Sequence, residues 1–243
     1  MEEKIENKID QLKEYVARER QSIDCDYVIT DTQFKRFLTG SKDDVQAAGH
    51  KLIEFLKWRS IEKPELITYD DPGVALERSK GYAYMHKADK SNRPVIYVEA
   101  KKYDKNNRQF EDVKKLVICL IENTLKYTQP EEEKVVVVID LLEFSIFKTM
   151  DYEVVKMFIQ LLQSNYDEIL GVGVLTNSPF IFWACWKIIH PWLDPKTAAK
   201  ISFLSPQDIS SIIDLESQPE FLKTYLKLSH EKNDNNIQTN NKI

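Results

Sequence analysis

Val135-Val-Val-Val-Ile139 is five β-branched residues in a row with no polar residue among them. Such a run suits a strand buried on both faces, because apolar/polar alternation disappears when both sides of a sheet are covered. Pro130-Glu-Glu-Glu133 just before it is a charged turn. Ahead of that turn, residues 111–126 read as a helix with Val113, Leu116, Val117, Leu120, Ile121 and Thr124 on one face. Downstream, residues 151–164 read as another, with Val154, Val155, Phe158, Leu161 and Leu162 apolar. Gly171-Val-Gly-Val-Leu-Thr176 is a further strand whose glycines leave little room for side chains, and Pro94-Val-Ile-Tyr-Val-Glu99 and Ile201-Ser-Phe-Leu204 add two more. Strands alternating with helices predict an α/β fold with a mostly parallel sheet flanked by helices.

The first 80 residues follow a different pattern. Residues 3–20 form a charged helix with a thin apolar seam at Ile5, Ile9, Leu12 and Val16. Asp31 is placed to cap a second helix that runs through Leu38 and ends at Gly40, and a third spans Asp43 to Arg59 with Val45, Ala48, Leu52, Ile53 and Leu56 buried. Pro64 and Pro72-Gly73 mark turns. The expected organisation is a helical lobe over 1–80, an α/β lobe over 81–228 on which it packs, and a disordered tail over 229–243, where asparagine is frequent and apolar periodicity is lost.

One stretch is out of place for a surface helix. In Pro179-Phe-Ile-Phe-Trp-Ala-Cys-Trp-Lys-Ile-Ile-His-Pro-Trp-Leu193 only Lys187 and His190 are polar between the bounding prolines. Pro179 suits a first helical turn and Pro191 should close the helix. It is too short to span a bilayer, yet carries Trp183, Trp186 and Trp192, whose rings suit a lipid–water boundary. Two readings follow: a fully buried core helix, or a lid with one face on an internal ligand and the other on a membrane.

Bulk properties narrow the function. A length of 243 residues and an apolar fraction of 42% support a sizeable core, and a net charge of -5 argues against a general nucleic-acid binder. Cys25, Cys119 and Cys185 are far apart and read as reduced thiols of a cytoplasmic protein. Met1-Glu2-Glu3-Lys4-Ile5-Glu6 is no secretory leader, and no run approaches the ~20 apolar residues of a membrane span, so any membrane contact is expected to be reversible. The chain has no GxSxG, HExxH or Walker motif and no Cys/His metal spacing, and its four histidines are scattered. We therefore expect neither an enzyme nor a metal or cofactor protein.

In order and spacing, several segments together resemble the CRAL-TRIO family, in particular its phosphatidylinositol/phosphatidylcholine transfer proteins. They are Phe34-Lys-Arg-Phe-Leu38, Phe55-Leu-Lys-Trp-Arg59, Tyr84-Met-His-Lys-Ala-Asp-Lys90, Asn92-Arg-Pro-Val95 and Ile139-Asp-Leu141, then Tyr166-Asp-Glu168, Asn177-Ser-Pro-Phe180, Pro191-Trp-Leu-Asp-Pro-Lys-Thr197 and Lys200-Ile201. The resemblance spans roughly residues 31–222 and implies a sheet that floors an internal lipid pocket, with Phe180, Phe182, Trp183, Trp186 and Ile189 on a mobile gate. It implies that Glu168, Thr197 and Lys200 meet an inositol phosphate headgroup; read without it, they are a solvated cluster and a helix cap. An Arg-rich stretch of the family reads Thr39-Gly-Ser-Lys42 here, leaving Lys42 as the substitute cation. Positions that hold choline lipid through tyrosines and hydroxyls align with Met85, Ile96, Val135 and Val137, an apolar pocket wall without an aromatic box.

The resulting expectation is a monomeric, cytoplasmic carrier that binds one hydrophobic ligand, a phosphatidylinositol-type lipid, and exchanges it at membranes without bond chemistry. The alternative is a binder of a less polar lipid, such as a sterol or fatty alcohol, that acts as a lipid-gated adaptor for a protein partner through the acidic turn 130–133 or the helix 3–20.

Overall fold

Four helices come first in the computed structural model, which describes residues 2–225; the expected tail over 229–243 lies outside them. Helix α1 (Glu2–Glu19) turns Leu12 and Val16 onto α2 (Asp31–Gly40) and α3 (Val45–Glu62), where Phe34, Phe37, Leu38, Leu52, Phe55 and Leu56 complete one core. The cap of α2 is Thr30, one residue before the Asp31 expected from the sequence. Its side chain accepts from Gln33 N while the Gln33 side chain accepts from Thr30 N. That reciprocal pair satisfies two otherwise unpaired backbone donors, which a lone Asp31 cap would not. Asp31 instead pairs with Lys13 at 2.7 Å. Asp44 caps α3 by accepting from Ala47 N, and α4 (Pro72–Ser79) starts on its proline.

The remaining elements are β1 (Ala83–Ala88), β2 (Pro94–Glu99), α5 (Phe110–Leu125), β3 (Val135–Asp140), α6 (Tyr152–Asn165), β4 (Leu170–Thr176), α7 (Phe182–Ile189), α8 (Pro195–Ala198) and β5 (Ile201–Phe203). The sheet order is β1-β2-β3-β4-β5; β1 is antiparallel to β2 and the other pairs are parallel. The sequence reading missed β1, because Ala83-Tyr-Met-His-Lys-Ala88 has no apolar run and leaves its edge largely half-buried.

Register divides the sheet into ranks that alternate faces. Met85, Ile96, Val137, Gly173 and Ile201 form one rank; Ala83, Val98, Ile139, Leu175 and Phe203 form the next rank on the same face. Between them, Tyr84, Tyr97, Val138, Val174 and Ser202 point the other way. On that opposite face Val95, Tyr97, Val136, Val138 and Val174 are sealed under Ile209, Ile213 and Leu222 from the C-terminal segment. A Cβ at Gly173 would stand 3.2 Å from Ile201, the shortage of room expected for this strand.

Charged side chains join the helical lobe to the sheet lobe. Arg59, only 2% exposed, pairs with Glu122 of α5 at 2.9 Å and Glu65 at 3.0 Å. Its guanidinium lies 3.7 Å from the Tyr27 ring centre, and the Tyr166 hydroxyl donates to Glu122 at 2.7 Å. Arg36 pairs with Glu133 at 2.8 Å and donates to the Asp167 carbonyl at 2.7 Å, while Lys51 meets the Asp167 carboxylate at 2.7 Å. Breaking a buried pair from one side leaves an uncompensated charge. Arg59→Ala should therefore cost about 3 kcal/mol in urea unfolding, and Glu122→Gln, which keeps an acceptor oxygen but removes the charge facing the buried guanidinium, should cost a comparable amount. A Glu122→Gln variant as stable as the parent would refute an ionic role for this joint.

Candidate functional site

The turn Tyr166-Asp-Glu168 follows α6, and Glu168 sits at φ 61, a left-handed conformation unusual outside glycine. Its carboxylate faces α8 and the end of the 130–134 turn. Lys196 reaches one oxygen at 2.6 Å; Lys200 reaches the other at 3.0 Å, with Lys134 3.6 Å from it. Lys134 also donates to the Glu168 carbonyl. Burial raises the Glu168 pKa, but hydrogen bonds from Lys196 and Lys200 outweigh it, and the net shift is downward. Lys134 is shifted down by burial, then by the neighbouring Lys200 charge, with Glu168 only partly opposing. Three ammonium groups converge on one carboxylate, so the turn carries a surplus of positive charge.

A cavity of about 450 Å3 opens beside this cluster. The residues expected at a headgroup, Glu168, Thr197 and Lys200, line it together, and so do Thr39 and Lys42 from the stretch that stands in place of the arginines. Lys42 takes a left-handed φ of 54 in the turn after α2. Gly40 lets Asp167 close on this turn: a Cβ would fall 2.3 Å from its carboxylate, which would have to shift. Asp194 fixes the far wall by capping α8 through Lys196 N and Thr197 N, both at 2.9 Å, while Gln163 donates to its other oxygen at 3.2 Å. Leu162 and Leu170 form apolar lining and also belong to the core layer between the sheet and the helices.

Several apolar side chains of that layer keep partial access to solvent. Val98 and Ile139, on inner strands, are only half-buried, and so are Val155, Phe158 and Leu162 above them on α6. Of the residues expected on the pocket wall, Met85, Ile96 and Val137 share one rank on this face, and Val135 lies beside them opposite Leu170. Ile96, Val135 and Val137 are buried under α5, while Met85 is half-buried. The half-buried Val98 and Ile139 lie one rank further on, toward the strand ends.

The out-of-place stretch covers those ends. Residues 179–181 form a turn, and the helix proper begins at Phe182 rather than at Pro179. Phe182, Cys185 and Ile189 are buried against Leu141, Ile159 and Leu175. The other side is exposed: Phe180 is 92% accessible, Ile188 50% and Trp183 43%, with Trp186 half-buried. The helix is thus apolar on a buried face and on an exposed one. Aromatic contacts hold it down, with Trp183 stacked on Phe203 at 4.5 Å and Phe182 edge-on to Phe144 at 5.3 Å. Asn177, at φ 52, donates to Asp140 at 2.7 Å and anchors the chain entering the turn.

Sequence reasoning missed Lys134, Lys196 and Lys51. Lys134 directly precedes the valine run and Lys196 lies within the Asp194–Thr197 segment, but only the folded turn shows that both reach Glu168. No helix among the described residues is long and apolar enough to cross a membrane, and no cluster of His, Cys, Asp or Glu among them could hold a metal.

A family model for the CRAL/TRIO domain matches residues 78–223. A CRAL-TRIO domain-containing protein of Schizosaccharomyces pombe is 30% identical over 190 residues, 75% of this chain and 42% of that protein. Phosphatidylinositol transfer protein CSR1 of Eremothecium gossypii is 30% identical over 206 residues, 80% of this chain and 47% of that one. The chain thus spans about half the length of these curated relatives. The crystal structure of Sfh5 superposes with a TM-score of 0.62 and 21% identity, covering 72% of this chain and 66% of that one, a likeness of fold. With the domain model covering well over half of its residues, the chain belongs to the CRAL/TRIO domain family.

Proposed function

We propose that this protein holds one phospholipid of the phosphatidylinositol type and exchanges it at membrane surfaces. The inositol phosphate occupies the cavity at Glu168, Thr197 and Lys200; the acyl chains enter the apolar layer beneath α6 and α7 when it opens. The observation that carries this reading is continuity: Leu162 and Leu170 line the charged cavity and also pack in the apolar layer, so one amphiphile can occupy both. The chemistry agrees. A lysine ammonium and a hydroxyl are phosphate donors, and a carboxylate accepts from ring hydroxyls. Choline fits worse, since Met85, Ile96 and Val137 offer its cation no aromatic face and its phosphate no hydroxyl. A relative named as a phosphatidylinositol transfer protein supports the same ligand class.

Exposing a chain of about 16 methylenes to water costs on the order of 12 kcal/mol. A carrier avoids that cost by trading bilayer contacts for pocket contacts, which requires a gate that opens at the membrane and shuts in water. Helix α7 suits the gate, with one apolar side inward and the other available to lipid. Exchange of this kind makes and breaks no covalent bond.

Three measurements test the reading. Organic extraction of the purified protein followed by lipid mass spectrometry should recover an inositol phospholipid; recovery of a sterol or fatty alcohol would favour a less polar ligand. Lys200→Ala should slow transfer of labelled phosphatidylinositol between vesicles by about tenfold, the worth of one charge-assisted hydrogen bond. Unchanged transfer removes Lys200 from the site. Phe180→Asp combined with Ile188→Asp should abolish co-sedimentation with liposomes while the melting temperature stays within a few degrees, because both side chains already face water. Undiminished liposome binding would exclude this helix as the docking surface.

A further inference from the structure

Next to the headgroup cavity lies a second, of about 390 Å3, between α2, the 130–134 turn and the start of β4. Thr39, Glu168, Leu170 and Lys200 line both, so one wall serves two compartments. The second adds Lys35, Arg93 and Lys134, with Glu131 and Glu132 exposed at its rim. Arg93 is fixed: Nε and Nη2 donate to the Asp89 carboxylate at 2.8 and 2.5 Å. Its Nη1 lies 3.0 Å from where a Cβ at Gly171 would stand, so the missing side chain leaves the guanidinium room against the strand.

The cations here outnumber their close partners. Arg36 and Arg93 have their own carboxylates, Glu133 and Asp89. Lys134 and Lys200 share Glu168 with Lys196. Lys35 forms no ion pair among the described residues, and neither does Lys42 on the other side of Thr39. A phosphate in the second compartment would meet Lys35, Lys134 and the common Lys200, and its charge would relieve the crowding of ammonium groups around one glutamate.

We infer that the second compartment takes a further phosphate borne on the same inositol ring, so that the preferred ligand is a ring-phosphorylated inositol lipid. This rests on the headgroup reading above. The ring spans the wall at Glu168 and Lys200, with its phosphodiester on one side and its added phosphate on the other. Glu131 and Glu132 at the rim oppose the added charge and set an upper limit on the preference.

The test is calorimetric titration of the full chain with dioctanoyl phosphatidylinositol, with its ring monophosphates, and with water-soluble inositol bisphosphate. At least one monophosphate should bind about tenfold more tightly than the plain lipid, the gain of one charge-assisted contact. Lys35→Glu, on the exposed side of α2, should erase that preference without changing affinity for the plain lipid. Glu131→Gln with Glu132→Gln should widen it. Equal affinity for plain and phosphorylated lipid overturns the inference and leaves the headgroup reading intact. Binding of neither lipid sinks the headgroup reading and this inference with it. Inositol bisphosphate bound more weakly than the lipid monophosphate supports a lipid ligand; bound equally, it assigns the compartment to a soluble inositol phosphate and overturns the lipid class.

Discussion

The grip of two lobes on the turn Tyr166-Asp-Glu168 organises the rest of the molecule. Each of its residues has its own set of partners: Tyr166 through Glu122 to Arg59, Asp167 through Arg36 and Lys51, and Glu168 through Lys134, Lys196 and Lys200. Trp58 adds an edge-on contact to Tyr166 at 5.7 Å. The turn could not hold a left-handed glutamate without such over-determination, since that backbone region costs free energy for any residue with a side chain. What it secures is a carboxylate fixed among ammonium groups at the mouth of a cavity. The helical lobe is therefore part of the candidate site: without α2 and α3 the cavity loses the lining formed by Thr39, Gly40, Lys42 and Lys51.

The sheet contributes by asymmetry. On one face the C-terminal segment covers Val95, Tyr97, Val136, Val138 and Val174, while Tyr84 and Val172 stay half-buried and Ser202 exposed at the margins. On the other, α6 buries only Ile159 and Leu161 of its fourteen residues. An α/β sheet places ligand sites near the carboxyl ends of its parallel strands, and the half-buried Val98 and Ile139 lie there. The proposed acyl-chain site therefore lies on the face covered by α5, α6 and α7, and the face covered by the C-terminal segment contributes a continuous core.

The sequence made different parts of this legible to different degrees. Val135-Val-Val-Val-Ile139 was decisive because a strand covered on both faces has to be apolar throughout, a rule local to five residues. The stretch 179–193 announced itself for the same reason: its composition is wrong for a surface helix whatever surrounds it. β1 escaped because an edge strand has no composition of its own, and Thr30 rather than Asp31 caps α2 because the choice depends on Gln33 returning the bond. Glu168, Thr197 and Lys200 came from a family resemblance, and the cavity does unite them. Lys134 and Lys196 were invisible because convergence on one carboxylate is a property of three segments meeting. Composition registers a patch; only topology counts the charges that face one another.

Helix α7, proposed above as a gate, is held by contacts of two kinds. Phe182, Cys185 and Ile189 are buried in the core, and aromatic pairs add to them, Trp183 and Trp186 on Phe203 and Phe182 on Phe144. Each such pair is worth about 0.5–1.5 kcal/mol beyond its buried area, so together they add a few kilocalories to what the buried side chains contribute. On the proposed reading, membrane contact would offset part of that hold, because Phe180, Ile181, Trp183 and Ile188 already present their side chains outward and would lose water on docking. A gate held more strongly would trap a ligand, and one held more weakly would expose acyl chain between membranes, so the proposal requires the buried and exposed apolar faces of this helix to be balanced against each other. Asn177, tied to Asp140, fixes the chain at the head of the segment.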